Sequence, residues 1–104
     1  MRVIGIDASL RSTGIGVVES QGSRLKLVEF STVRNPSSLP HSECLRRILA
    51  ELVAILERHE PQAAAIEGGF YFKNAKTALV LGEVRGVVIA ASASAGVPIY
   101  EYSP

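Results

Sequence analysis

The sequence has one cysteine, one methionine and no tryptophan, and its aromatic residues are three Phe and three Tyr. A lone thiol, Cys44, excludes an internal disulfide and any multi-cysteine zinc site; lying inside a helical pattern, it reads as a core residue. Net charge is scarce as well. Eleven basic residues against ten acidic ones leave +1, so the chain exerts no global pull on nucleic acid or membrane, and any polyanion site is a local patch. Long apolar runs are missing: the longest stretch without a charge, Gly86 to Tyr100, is broken by Gly, Ser and Pro and falls short of the roughly 20 residues that span a bilayer. No apolar stretch with a small-residue cleavage site precedes the first strand-like run, so the expected location is cytoplasmic, with no membrane partner. With 104 residues, 47% hydrophobic and 20% charged, the expectation is one globular domain with a core, neither a two-domain enzyme nor a disordered chain.

What is present has a clear order. Arg2 to Asp7 is a short apolar run ending on a carboxylate, and Thr13 to Glu19 is β-branched and Gly-rich; the two pair as a hairpin across Ser9 to Ser12. Gln21-Gly22 signals a turn, and Leu25, Leu27, Phe30 and Val33 continue as a third strand whose alternation slips near Glu29. After the loop Asn35-Pro36-Ser37-Ser38, the residues Leu45, Ile48, Leu49, Leu52, Val53 and Leu56 recur at helical spacing and mark one apolar face, with Pro61 as the boundary. Ala63 to Glu67 is apolar up to its final Glu, the pattern of a strand buried on both faces between helices and therefore flanked by parallel neighbours. From Asn74 to Ala95 a helix rich in small residues carries Leu79, Gly82, Gly86, Ile89, Ala90 and Ala93 at helical spacing, with Gly96 as its cap. That spacing predicts close backbone packing, within the fold or across a dimer. Pro98 to Tyr102 is a last strand, and Ser103-Pro104 is a pair that commonly opens a further helix. Three strands followed by helix, strand, helix, strand predict a mixed five-stranded α/β sheet with helices packed on it.

Two acids stand out. Asp7 ends the first strand and Glu67 the fourth; if those strands are parallel neighbours about 5 Å apart, their carboxylates leave the same edge at metal-bridging distance. A single Asp at a strand end is more often a turn cap, but here both acids emerge from apolar runs, where an unpaired charge is costly.

These residues carry a resemblance. Met1 to Asp7 with Thr13 to Glu19, then Ile66-Glu67-Gly68-Gly69-Phe70, Lys73-Asn74, Ala78-Leu79, Gly82, Arg85-Gly86 and Tyr100-Glu101-Tyr102-Ser103-Pro104 resemble, in order and spacing, the RuvC Holliday-junction resolvases across essentially the whole chain. The resemblance implies a ribonuclease-H-like fold, a homodimer, branch-migration helicase partners, and magnesium-dependent nicking of symmetrically placed strands of four-way junction DNA. In such nucleases two Mg2+ ions held by carboxylates activate a water and stabilise the leaving oxygen. By resemblance, Asp7 and Glu67 are two of those acids, as catalytic residues and metal ligands; the family's remaining two lie on a further C-terminal helix that this sequence does not contain, so the chain by itself is expected to hold magnesium weakly and not to cut. Ala8-Ser9 stands where the family usually has Pro-Gly, and Gly68-Gly69 makes the segment after Glu67 looser than usual.

Around the acids, DNA contacts compete with structural roles. Phe70 heads Phe70-Tyr71-Phe72, and an aromatic in such a loop stacks on an unpaired base or else covers the following helix; Tyr71 and Phe72 are assigned to packing. Lys73, Asn74 and Lys76 stand at a helix start, where backbone N–H groups favour phosphate, although a solvated Lys pair has the same pattern. Arg11, in the first turn, is a further phosphate candidate. Arg85, near Glu83, serves structural pairing or DNA, Arg46, Arg47 and Arg58 lie on an acidic, solvated helix face, and His41 and His59 are read as surface residues. Two other functions stay open: a junction-binding or dimerisation module without catalysis, and an ATP-binding domain, since Asp7-Ala8-Ser9 with Ser12-Thr13-Gly14 also resembles the phosphate-binding turn of the actin and sugar-kinase ATPases.

Overall fold

In the computed structural model, which describes residues 1–67 and 74–102, the chain forms β1 (Arg2–Asp7), β2 (Ser12–Gln21), β3 (Arg24–Arg34), α1 (His41–His59), β4 (Ala63–Glu67), α2 (Ala75–Ser94) and β5 (Ile99–Tyr102). The strands make one sheet in the order β3-β2-β1-β4-β5. β1, β2 and β3 are antiparallel neighbours, while β4 runs parallel to both β1 and β5. The mixed five-stranded sheet expected from the sequence is therefore present, with β4 between parallel neighbours.

Local chemistry explains the joints. Gln21 pairs with Arg24 across a two-residue turn that starts on Gly22 at φ 62°, a left-handed value that glycine adopts without steric cost. The slip expected near Glu29 is a register shift: Val17 pairs with Glu29 but Val18 pairs with Leu27, which leaves Val28 as the extra residue of a bulge. At the end of α2, Gly96 adopts φ 73°, its N–H donates to the carbonyl of Ala93 and the Val97 N–H to that of Ser92, both at 3.0 Å. This pair of bonds is a Schellman cap, and it confirms Gly96 as the stop signal.

Both helices lie on the same side of the sheet. Ile4, Ile6, Ile15, Val17, Ala64 and Ile66 form one cluster with Leu52, Ile55 and Leu56 of α1 and Val88 and Ala91 of α2, while Cys44, Ile48 and Val84 join Leu10 and Val33 in a second. This corrects the expectation that β4 is buried between helices on both faces: among the described residues only the face of Ala64 and Ile66 is covered by helices. A run of alanines is apolar on either side and cannot report which side is covered. The α1 stripe also shifts, since Cys44 and Ile55 are fully buried whereas Leu49 is 40% exposed. Cys44 is a core residue, as expected.

α2 departs further. Its buried residues are Val84, Val88, Ala91 and Ser92, whereas Leu79, Gly82, Gly86, Ile89, Ala90 and Ala93 face outward. Among the described residues a Cβ on Gly82 or Gly86 would meet nothing within 4 Å, so the small-residue stripe does not serve close packing between them. By length and composition alone α2 is long and apolar enough to cross a membrane. Glu83 and Arg85 stand at its middle, however, and Arg85 is bonded to the sheet; charges at that depth in a bilayer are costly.

Polar contacts tie α1 to the sheet edge. Glu29 on β3 accepts two hydrogen bonds from Arg58 Nη2, at 3.0 and 2.9 Å, and faces the His59 ring. His59, expected on the surface, has a side chain only 13% exposed. The Arg58 guanidinium, followed by His59, holds the Glu29 carboxyl below the usual carboxylate range. A group whose folded pKa is depressed contributes stability above its unfolded pKa and loses it as the pH falls through the folded value. Glu29→Gln therefore lowers the melting temperature at neutral pH, and the difference from wild type closes as the solution is acidified. Thermal melts of both proteins across that range check this; a difference independent of pH would mean that the ion pair contributes nothing.

Candidate metal and DNA site

The two acids meet as the strand order requires. Ile6 is in register with Ile66 on the parallel strands β1 and β4, so Asp7 and Glu67 are neighbours one residue further on, and both line a groove of about 410 Å3 on the face opposite the helices. Gly5, Gly14 and Gly16 form part of its floor, with Gly5 opposite Gly16 and Asp7 opposite Gly14 on β1 and β2. The ring of Phe30 lies over this floor: a Cβ built on Gly14 or on Gly16 would come within 3.6 Å of it. Phe30 is nonetheless 63% exposed. From the sequence it read as one strand residue among several, and only the β3–β2 register places it beside the acids.

The donor set suits a hard cation in part. Two carboxylates side by side match the way Mg2+ is bound, through one or two carboxylates plus waters and substrate phosphates. Among the described residues no group of three or more His, Cys, Asp or Glu side chains gathers to hold a metal. Asp7 and Glu67 thus fit as part of a coordination shell that needs further oxygens.

The DNA candidates divide. Phe70 and Lys73 lie outside the described residues, as do Gly68, Gly69, Tyr71 and Phe72. Asn74 caps α2, its Oδ1 accepting from the Thr77 N–H at 2.9 Å and from the Thr77 hydroxyl, which gives it a structural role. Arg11 donates through Nη1 to the Pro36 carbonyl at 2.7 Å, to the Leu39 carbonyl and to Cys44 Sγ; it staples the loop before α1 to the first turn. Arg11 and Lys76, far apart in sequence, nevertheless line one groove of about 360 Å3 together with Ser9, His41 and Thr77. That convergence, with His41 as an added member, was not legible from sequence spacing. The first turn is held by Thr13, whose buried hydroxyl donates to the Ser9 carbonyl while accepting from the Ser9 N–H. A hydroxyl so engaged is not free to cradle a nucleotide phosphate.

Arg85 pairs with Glu101, not with the nearby Glu83, and also donates to the Glu67 carbonyl at 3.3 Å. Structural pairing is thus its observed role, with a partner 16 residues along the chain.

A five-stranded mixed sheet in this order, with two carboxylates at the ends of its central parallel pair, is a ribonuclease-H-like fold. The sequence model of the crossover junction endodeoxyribonuclease RuvC family matches residues 3–104, and the chain belongs to that family. The full 104 residues align at 41% identity with the RuvC of Pelotomaculum thermopropionicum, covering 63% of that protein, and at 45% with the RuvC of Myxococcus xanthus, covering 54%. A solved structure of T. thermophilus RuvC in complex with a Holliday junction substrate superposes with a TM-score of 0.95 at 33% identity, over the whole chain and 66% of the relative. The chain thus spans somewhat over half to about two thirds of the length of these relatives. Membership of this family sets aside the ATP-binding reading.

Proposed function

We propose that the chain is the carboxylate-bearing part of a metal-dependent endonuclease that nicks four-way DNA junctions in recombination and repair. The observation that supports this most directly is the side-by-side placement of Asp7 and Glu67 in a groove on the open face, in a member of this family. Mg2+, when bound, would polarise the scissile phosphate and lower the pKa of an attacking water. The chain's own residues supply the rest. Asp7 and Glu67 would hold the cation through oxygens from two strands whose register keeps them adjacent. Gly5, with open space where a Cβ would be, leaves room beside Asp7 for a phosphate to approach. Arg11 and Lys76 offer positive charge in the neighbouring groove, and Phe70 stacks on a base exposed at the junction centre.

Two carboxylates alone leave Mg2+ under-coordinated. Our reading is that the further ligands come from the region that the relatives carry in addition, and that the 104-residue chain alone binds junction DNA without cutting it. Steady nicking by the purified chain in magnesium, abolished by Asp7→Asn, would refute that part and leave the nuclease assignment standing.

The same reading makes the protein a homodimer through α2. Its outward stripe of Leu79, Gly82, Gly86, Ile89 and Ala93 is apolar, low in profile and uncovered among the described residues, the combination that lets two helices approach backbone to backbone. Gly86→Arg meets no steric obstacle inside the fold, so it is expected to give a folded monomer where the wild type sediments as a dimer. A wild type that stays monomeric by sedimentation at high concentration would overturn the dimer.

A further inference from the structure

We infer that Arg85 and Glu101 form a positioning pair that sets the orientation of Glu67, a role that rests on the metal-site reading of Asp7 and Glu67. The side chain of Arg85 leaves α2 and is only 16% exposed, against 37 to 63% for the arginines of the Arg2, Arg46 and Arg58 ion pairs. It reaches the edge of the sheet where both acids lie. There its two terminal nitrogens are divided: Nη1 donates to the backbone carbonyl of Glu67 at 3.3 Å, and Nη2 to the carboxylate of Glu101.

The division carries the argument. Glu67 is the last residue of β4 and lies opposite Tyr102 of β5, so the direction of its side chain depends on how its own peptide plane is held. A guanidinium is planar and presents its donors in a rigid fork. One arm held by Glu101, which is in register with Ile66 across the β4–β5 pair, leaves the other arm little freedom. The Glu67 carbonyl is thereby tied to α2 and β5 at once, and its carboxylate is presented beside Asp7 before any cation arrives. Outer partners that orient metal ligands in this way change metal affinity by about 10- to 100-fold when removed.

The test uses the chain itself with Mn2+ as the probe, followed by electron paramagnetic resonance, alongside the 13C shift of the Glu67 backbone carbonyl and thermal melts. Arg85→Gln is expected to weaken Mn2+ binding by about 10-fold or more and to move the Glu67 carbonyl shift. Glu101→Gln, which keeps Arg85 but frees its fork, is expected to do the same in smaller measure, and the double variant to be no worse than Arg85→Gln, because residues acting through one network are not additive. Arg85→Lys, a charge-conserving change without the fork, is expected to keep the melting temperature closer to wild type yet fail to restore Mn2+ affinity. Restoration by Lys would show that charge alone matters and overturn the positioning role. Mn2+ binding lost in Asp7→Asn and Glu67→Gln but unchanged in a folded Arg85→Lys or Glu101→Gln chain would overturn it also. A protein extended to the length of its relatives that takes up no Mn2+ at millimolar concentration would fail at the earlier step, removing the metal site and with it the role given to Arg85.

Discussion

Asp7→Asn is expected to abolish junction cleavage, by more than about a thousandfold or about 4 kcal/mol of transition-state stabilisation, in the protein extended to the length of its relatives. The same change leaves the fold intact. Asp7 is exposed at a strand end, and among the described residues its side chain makes no hydrogen bond, so only its backbone serves the ladder with Gly14. Its effect on stability should even be opposite in sign to its effect on activity. Like charges side by side on neighbouring strands repel by up to about 1 kcal/mol, so without a divalent cation the variant melts at the same temperature as wild type or slightly higher. Adding Mg2+ reverses the order, since a ligand that binds only the folded state raises its stability by mass action; wild type gains and Asp7→Asn does not. Melts with and without Mg2+ read this on the 104-residue chain, and junction cleavage reads it on the longer protein. A variant that still cleaves at the wild-type rate would show that the groove is not the reacting centre.

Leu52→Ala is expected to cost about 3 kcal/mol, a fall in melting temperature of about 12 °C or more, whereas Leu49→Ala on the same helix costs less than about 1 kcal/mol. The pair tests the packing directly because the chemistry is identical and only the environment differs. Leu52 is fully buried in the cluster that joins α1 to β1, β2, β4 and α2, while Leu49 is 40% exposed. Truncating Leu52 leaves a cavity that close-packed neighbours only partly fill; truncating Leu49 removes a contact that water largely replaces. Chemical denaturation of the two variants measures both. Equal losses would place the helix face differently from the one described.

The open face of the sheet bears on both results. Leu25, Leu27, Phe30 and Tyr100 are each more than 60% exposed, and Val3, Val18, Leu27 and Phe30 surround the groove that holds the acids. A chain with this much apolar surface in contact with water has association as its main hazard. Cavity-forming substitutions are expected to be felt more sharply here than in a domain covered on both faces.

Much of this was determined by the sequence. Helical periodicity, β-branched content and short apolar runs placed the seven elements found among the described residues, and Gly22, Pro61 and Gly96 marked their limits because few residues share those backbone conformations. Asp7 and Glu67 stood out since each ended an apolar run, and their order in the chain matched one family. What the pattern could not carry was direction and distance. The three consecutive alanines of β4 say nothing about which of its faces is covered, and the small-residue stripe of α2 reads the same whether it packs inward or, as here, outward. The approach of Arg85 to Glu67 and Glu101, of Arg11 to Lys76, and of Phe30 to Gly14 spans separations of 16 to 65 residues. Such contacts follow from strand order and register, which are settled by the packing of the whole chain at once, so only the tertiary structure decided them.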